Sequence, residues 1–145
     1  MRLLSVLLFL LPFTAAGNDS VTAWIRINQL GYTPAGVKTA VWCARANPPA
    51  AAFTLHDAAS GRVVWKGNSS PDFGAYGPFT HTRRLDFSGY RQPGTYYLAC
   101  GNGRSPVFRI GADVYKGAAD FCLQYMRQQR SGFNPYLKDS CHTYD

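Results

Sequence analysis

The chain has 145 residues, 15 of them basic and 8 acidic, for a net charge of +7 and a mean hydropathy of −0.18. The basic residues are scattered from Arg2 to Lys138 and form no stripe on one element, which argues against a nucleic-acid partner. Every acidic side chain is an aspartate, glutamate being absent, and past residue 13 no apolar run is long enough to cross a bilayer.

Residues 1–17 have the plan of a secretory signal peptide: Arg2, an apolar run from Leu3 to Phe13, then the small residues Ala15, Ala16 and Gly17. Secretion, or export to a periplasm, is therefore expected. From residue 24 to 110 the chain alternates short apolar strands with turn signals. Trp24–Asn28 points Ile25 and Ile27 to one side. Val37–Cys43 reads as a strand with Val37, Thr39, Val41 and Cys43 facing the core. Ala52–Asp57 sends Phe53 and Leu55 inward and returns through the Ala59-Ser60-Gly61 turn as a hairpin with Arg62–Lys66. Arg83–Phe87 buries Leu85 and Phe87, Thr95–Cys100 buries Tyr96, Leu98 and Cys100, and Pro106–Ile110 is the last strand. About seven strands at this spacing predict an all-β immunoglobulin-like sandwich over residues 18–111.

The four cysteines stand at 43, 100, 122 and 141, with no C-x-x-C pair. Strand parity turns both Cys43 and Cys100 toward the core, and an exported chain permits a disulfide between them. Two buried free thiols are the alternative. After Gly111 the period changes. Val114, Ala118, Phe121, Cys122, Tyr125 and Met126 fall on one face of a helix, with Asp113 as its N-cap and Gly132 as its stop. A helix with so wide an apolar stripe needs a partner that the polar, turn-rich stretch 131–145 does not supply. The expectation is that the chain is cut off inside a second domain.

Several segments resemble glycoside hydrolase family 9, the family that holds many cellulases. Trp24-Ile25-Arg26-Ile27-Asn28-Gln29-Leu30-Gly31-Tyr32 is similar to the opening strand of that family's N-terminal immunoglobulin-like domain. Gly94-Thr95-Tyr96-Tyr97-Leu98 and Pro106-Val107-Phe108-Arg109-Ile110 resemble its later strands. Tyr115–Arg130 resembles the first helix of its (α/α)6 catalytic barrel, and Cys141-His142-Thr143-Tyr144-Asp145 its Cys-His segment. The resemblance implies a sandwich followed, over residues 112–145, by the start of an all-α (α/α)6 barrel. It also implies inverting hydrolysis of β-1,4-glucan or a related β-glycan, with the polysaccharide bound by the missing catalytic domain. That chemistry needs a carboxylic acid and a carboxylate across a cleft. The family's Asp-Ala-Gly-Asp base motif is absent here, as is the glutamate that would be its acid, so no catalytic residue carries over and the chain itself should be inert.

The family also implies a structural zinc or calcium in a full-length parent. Cys141 and His142 match two zinc ligands, but Ser131 occupies the position of a third, and two donors do not make a tetrahedral site. This chain alone is expected to bind no cofactor. Cys122 is an alternative partner for Cys141. The long loop 67–79 carries Phe73, Tyr76 and Phe79, which could stack on sugar rings or cover a domain boundary. His56 and His81 have no nucleophile beside them. Asn18-Asp19-Ser20 and Asn68-Ser69-Ser70 are glycosylation sequons in a eukaryotic secretory route. The competing function is a non-catalytic module that binds carbohydrate or serves as a structural domain.

Overall fold

The computed structural model describes residues 22–46, 50–129, 132–135 and 137–141; the expected signal peptide and the Asn18 sequon lie outside them. In chain order its elements are β1 (Ala23–Arg26), β2 (Thr39–Ala44), β3 (Ala52–Asp57), β4 (Val63–Asn68), β5 (His81–Asp86), β6 (Gly94–Cys100), β7 (Gly103–Arg104), β8 (Phe108–Ile110), α1 (Ala118–Gln128), β9 (Gly132–Asn134) and β10 (Asp139–Cys141). The first eight strands form two antiparallel sheets. One has the order β1-β2-β5. The other has the order β4-β3-β6-β7, with β8 paired to the opposite half of β6. Together they make the expected immunoglobulin-like sandwich, followed by the start of a helical segment.

Alternation explains the core. Ile25, Phe53, Leu55, Leu85, Phe87, Leu98 and Ile110 are all buried between the sheets, as their positions predict. The strand β2 is the exception. Its inner face is Ala40, Trp42 and Ala44, while Val41 is 48% exposed and Val37, which precedes the strand, is 77% exposed. Both faces of this strand are apolar, so alternation alone does not choose between them. Trp42 decides: an indole offers 150–250 Å² for burial, more than a valine can. It is fully buried, and its Nε1 donates to the Cys100 carbonyl 3.2 Å away, joining the two sheets.

This parity corrects the expected Cys43–Cys100 bridge. Cys43 lies on the opposite side of β2 from Trp42, with its Sγ 3.6 Å from the Trp24 carbonyl on the neighbouring strand. Cys100 points into the core, its Sγ 3.4 Å from the Ala52 carbonyl. Both are free thiols. Burial raises the Cys43 thiol and pushes that of Cys100 up to about 11. A thiol reagent at pH 8 should therefore label exposed Cys122 quickly, and Cys43 and Cys100 only after denaturation. Loss of both core thiols from the unfolded, unreduced protein would restore the bridge.

Lys38 is the largest charged side chain in the interior. Its ammonium donates to the carbonyls of Pro34 and Gly36, each at 2.8 Å, and thereby closes the turn before β2. Removal from water lowers its pKa, helped by the nearby Arg91 charge.

The segment after β4 seals the free edge of β5. Ser70 N donates to the Arg84 carbonyl at 2.9 Å, Phe73 N to the Thr82 carbonyl at 2.9 Å, and Arg84 N to Ser70 Oγ at 2.8 Å. Asp72 anchors this segment by accepting from Gly74 N at 2.8 Å, His81 Nδ1 at 2.5 Å and Thr82 N at 3.2 Å. The Gly74 amide first, and the His81 contact next, hold its carboxyl at about 2, below the ordinary 3.8. A depressed carboxyl contributes stability in full above its unfolded value and loses it as pH falls toward the folded one. The stability gap between the natural chain and Asp72→Asn, measured by urea unfolding, should stay level from pH 7 to about 5. It should close between about pH 4 and 2.

The helix also differs from expectation. It starts at Ala118, not after Asp113, because residues 112–117 form turns and Gly117 takes the left-handed conformation at φ 81°. Asp113 makes an ion pair with Arg109 at 3.0 Å and does not cap. The short hairpin β9–β10 follows, tied to the end of α1 by Asn134 Nδ2 donating to the Gln128 carbonyl at 3.3 Å. No helix among the described residues is long and apolar enough to cross a membrane.

Candidate functional site: the joint between sandwich and helix

The segment Asn28-Gln29-Leu30-Gly31-Tyr32 leaves β1 and turns sharply. Gly31 N donates to the Asn28 carbonyl at 3.2 Å, and the Asn28 carboxamide oxygen accepts from Leu30 N at 3.1 Å. The chain then runs beside β8. Tyr32 N donates to the Arg109 carbonyl and Gly111 N to the Tyr32 carbonyl, both at 3.0 Å, making one parallel bridge between Tyr32 and Ile110. Gly31 is required here. Its φ is 103°, and a Cβ at this position would lie 2.3 Å from the Arg109 carbonyl oxygen.

Tyr32 locks the turn from inside. Its hydroxyl donates to the Thr39 carbonyl at 2.6 Å and accepts from Asn28 N at 3.2 Å. Its ring meets Phe87 and Phe108 edge-on, with centroids 5.3 and 5.7 Å apart. Burial pushes its phenol up.

The same turn receives the chain beyond β8. The Tyr115 hydroxyl donates to the Gly31 carbonyl at 3.0 Å and accepts from Asn28 Nδ2 at 3.1 Å. Val114 is buried against the Gly31 backbone. The root of α1 is thus fixed to the sandwich by one buried valine and one bridging phenol. Beyond that root the apolar stripe is uncovered. α1 buries no residue, and Phe121 and Met126 are 73% and 67% exposed. A cleft of about 460 Å³ opens between the turn and the helix, lined chiefly by Leu30, Val114, Ala118, Phe121 and Cys122.

The other expected sites are dispersed. Of the loop aromatics, Phe73 and Tyr76 project into solvent, whereas Phe79 packs on Trp24 with centroids 5.6 Å apart. His56 stacks on Tyr97 at 4.7 Å, between Thr54 Oγ1 at 2.8 Å and the Gly61 carbonyl at 3.0 Å, which is a hairpin clamp. His81 serves Asp72. His142 and the side chain of Cys141 lie outside the described residues, and so does any pairing of Cys141 with Cys122. Among the described residues no group of three or more His, Cys, Asp or Glu could hold a metal ion. Sequence reasoning missed the bridging role of Tyr115. Asn28, Gly31 and Tyr32 carry the family resemblance in sequence, but spacing alone does not reveal their physical purpose.

The family described as "Cellulase N-terminal ig-like domain" matches residues 20–105. The chain belongs to this cellulase N-terminal domain family. A xyloglucan-specific endo-β-1,4-glucanase of Bacteroides ovatus is 38% identical over 108 residues, which is 74% of this chain and 18% of that protein. Endoglucanase C of Cellulomonas fimi is 35% identical over 109 residues, 74% of this chain and 10% of that one. Among solved structures, a metagenome-derived family 9 endoglucanase superposes with a TM-score of 0.62 at 29% identity, over 82% of this chain and 24% of its own. This family 9 chain therefore spans less than a fifth of the length of the curated relatives it matches.

Gly31→Ala should destabilise the domain by roughly 2–5 kcal/mol, from left-handed backbone strain plus the clash with Arg109. Tyr115→Phe should cost about 1 kcal/mol and speed hydrogen exchange across residues 112–128 while leaving β2 and β6 protected. Uniform exchange in both regions would show that the phenol does not hold the joint.

Proposed function

We propose that this chain is the N-terminal module of a secreted endoglucanase acting on β-1,4-glucan or a related β-glycan. On this reading residues 18–111 are the sandwich, and residues 112–145 begin the helical catalytic domain. The sandwich does no chemistry; it supplies a rigid wall and fixes the first helix. The observation that carries the reading is the contrast between the root of the helix and its apolar face. Val114 is buried on the sandwich, while Phe121, Tyr125 and Met126 stand in water on a helix whose root is held by hydrogen bonds. An isolated helix of this length is marginal in water, so the uncovered face calls for further helices. The endoglucanase relatives support a glucan as the substrate of the whole protein. Export follows from the N-terminal pattern and the glycan-degrading role.

The test is a chimera in which this chain replaces the matching stretch of the Bacteroides ovatus enzyme. It should hydrolyse xyloglucan, and Phe121→Asp within it should lower both Tm and activity. In the chain by itself the same substitution should change stability by no more than about 0.5 kcal/mol, because the site is exposed. A chimera indifferent to Phe121→Asp, or reducing sugar released by the chain alone, would overturn the proposal.

A further inference from the structure

The outer face of the β1-β2-β5 sheet, on the far side from the core, carries arginines beside exposed apolar side chains. Arg26, Val41 and Arg84 are cross-strand partners in one row. Adjacent strands lie about 4.8 Å apart, so the two arginines flank an exposed valine within about 10 Å of each other. Arg45 lies over the Trp24 ring at 5.5 Å, and Arg84 over Phe73 at 5.8 Å. Phe73 and Tyr76 are 65% and 78% exposed, on the segment that Asp72 holds in place.

Positive charge is in excess here. None of Arg26, Arg45 and Arg84 forms an ion pair among the described residues. The nearby carboxylates are already engaged: Asp72 by two backbone amides and His81, and Asp86 by Ser88 N at 2.9 Å. Asp86, on the same face, only partly offsets Arg84. Guanidinium forks match carboxylates in geometry and charge, and exposed aromatic rings offer apolar faces.

We infer that this face binds a carboxylate-bearing polysaccharide, with Arg26 and Arg84 on its carboxylates and Phe73 and Tyr76 against its sugar rings. A linear chain that repeats one charge along its length can meet both guanidiniums together, so the second contact forms at high effective concentration. A neutral glycan offers the arginines hydroxyl acceptors but no opposite charge. The inference is independent of the proposed endoglucanase role, since it concerns the sheet face and not the helix.

Affinity electrophoresis of the full chain in gels containing polygalacturonate tests it, with xyloglucan gels as the neutral comparison. Polygalacturonate should retard the chain, and added salt should weaken the effect. Arg26→Ala/Arg84→Ala should weaken retardation roughly tenfold and Phe73→Ala several-fold. These side chains are exposed, and a thermal melt confirms that the variants fold. Arg62→Ala/Lys66→Ala carries the same net charge as the first double variant but alters the other sheet, and it should bind like the natural chain. Three results would each overturn the inference: no retardation by polygalacturonate, equal retardation by xyloglucan, or equal loss in the two double variants. The last would reduce the effect to net charge.

Discussion

The close approach of the Gly31 backbone to the Arg109 carbonyl is the constraint on which the rest of the structure depends. Only a residue without a Cβ can occupy that position, since a Cβ would sit 2.3 Å from the oxygen. The approach lets Tyr32 bond to β8 through its main chain and reach Thr39 with its hydroxyl. Three distant stretches of chain meet there: the exit of β1, the entry to β2 and the end of β8. The direction in which the polypeptide leaves the sandwich is set at the same point, because Tyr115 uses the Gly31 carbonyl that the turn leaves available.

Physical logic of this kind gives the Asn-Gln-Leu-Gly-Tyr run a purpose beyond that of a family marker. Asn28 organises the turn, Gly31 permits contact, and Tyr32 fastens it to an aromatic cluster with Phe87 and Phe108. A rigid joint matters most where a helix must be presented at a fixed angle. With its stripe uncovered past Val114, α1 gains little from its own packing and depends on that anchorage.

Much of the sandwich was legible in the sequence because its strands alternate cleanly between turn signals. Phe53 and Leu55, Leu85 and Phe87, and Tyr96, Leu98 and Cys100 all face inward as their spacing requires. Parity failed at β2, where Val41 and Cys43 compete with Trp42 and two alanines, and the larger buried area won. The proposed disulfide fell with it. The helix start was misplaced because Asp113 has the chemistry of a cap, yet Arg109 lies within 3.0 Å and takes it. Nothing local announces that Tyr115 reaches back 84 residues to Gly31. Such a long-range contact has no periodic signature, and the joint became visible only in three dimensions.

The seal along β5 bears on how such modules behave in number. An unsatisfied strand margin invites another molecule to zip onto it. Here residues 70–73 supply the missing main-chain partners to Thr82 and Arg84, and the opposite sheet ends in β4, which carries Lys66 and Gly67. Copies of the domain held at high local density would thus find no open ladder on β5 to extend from one molecule to the next.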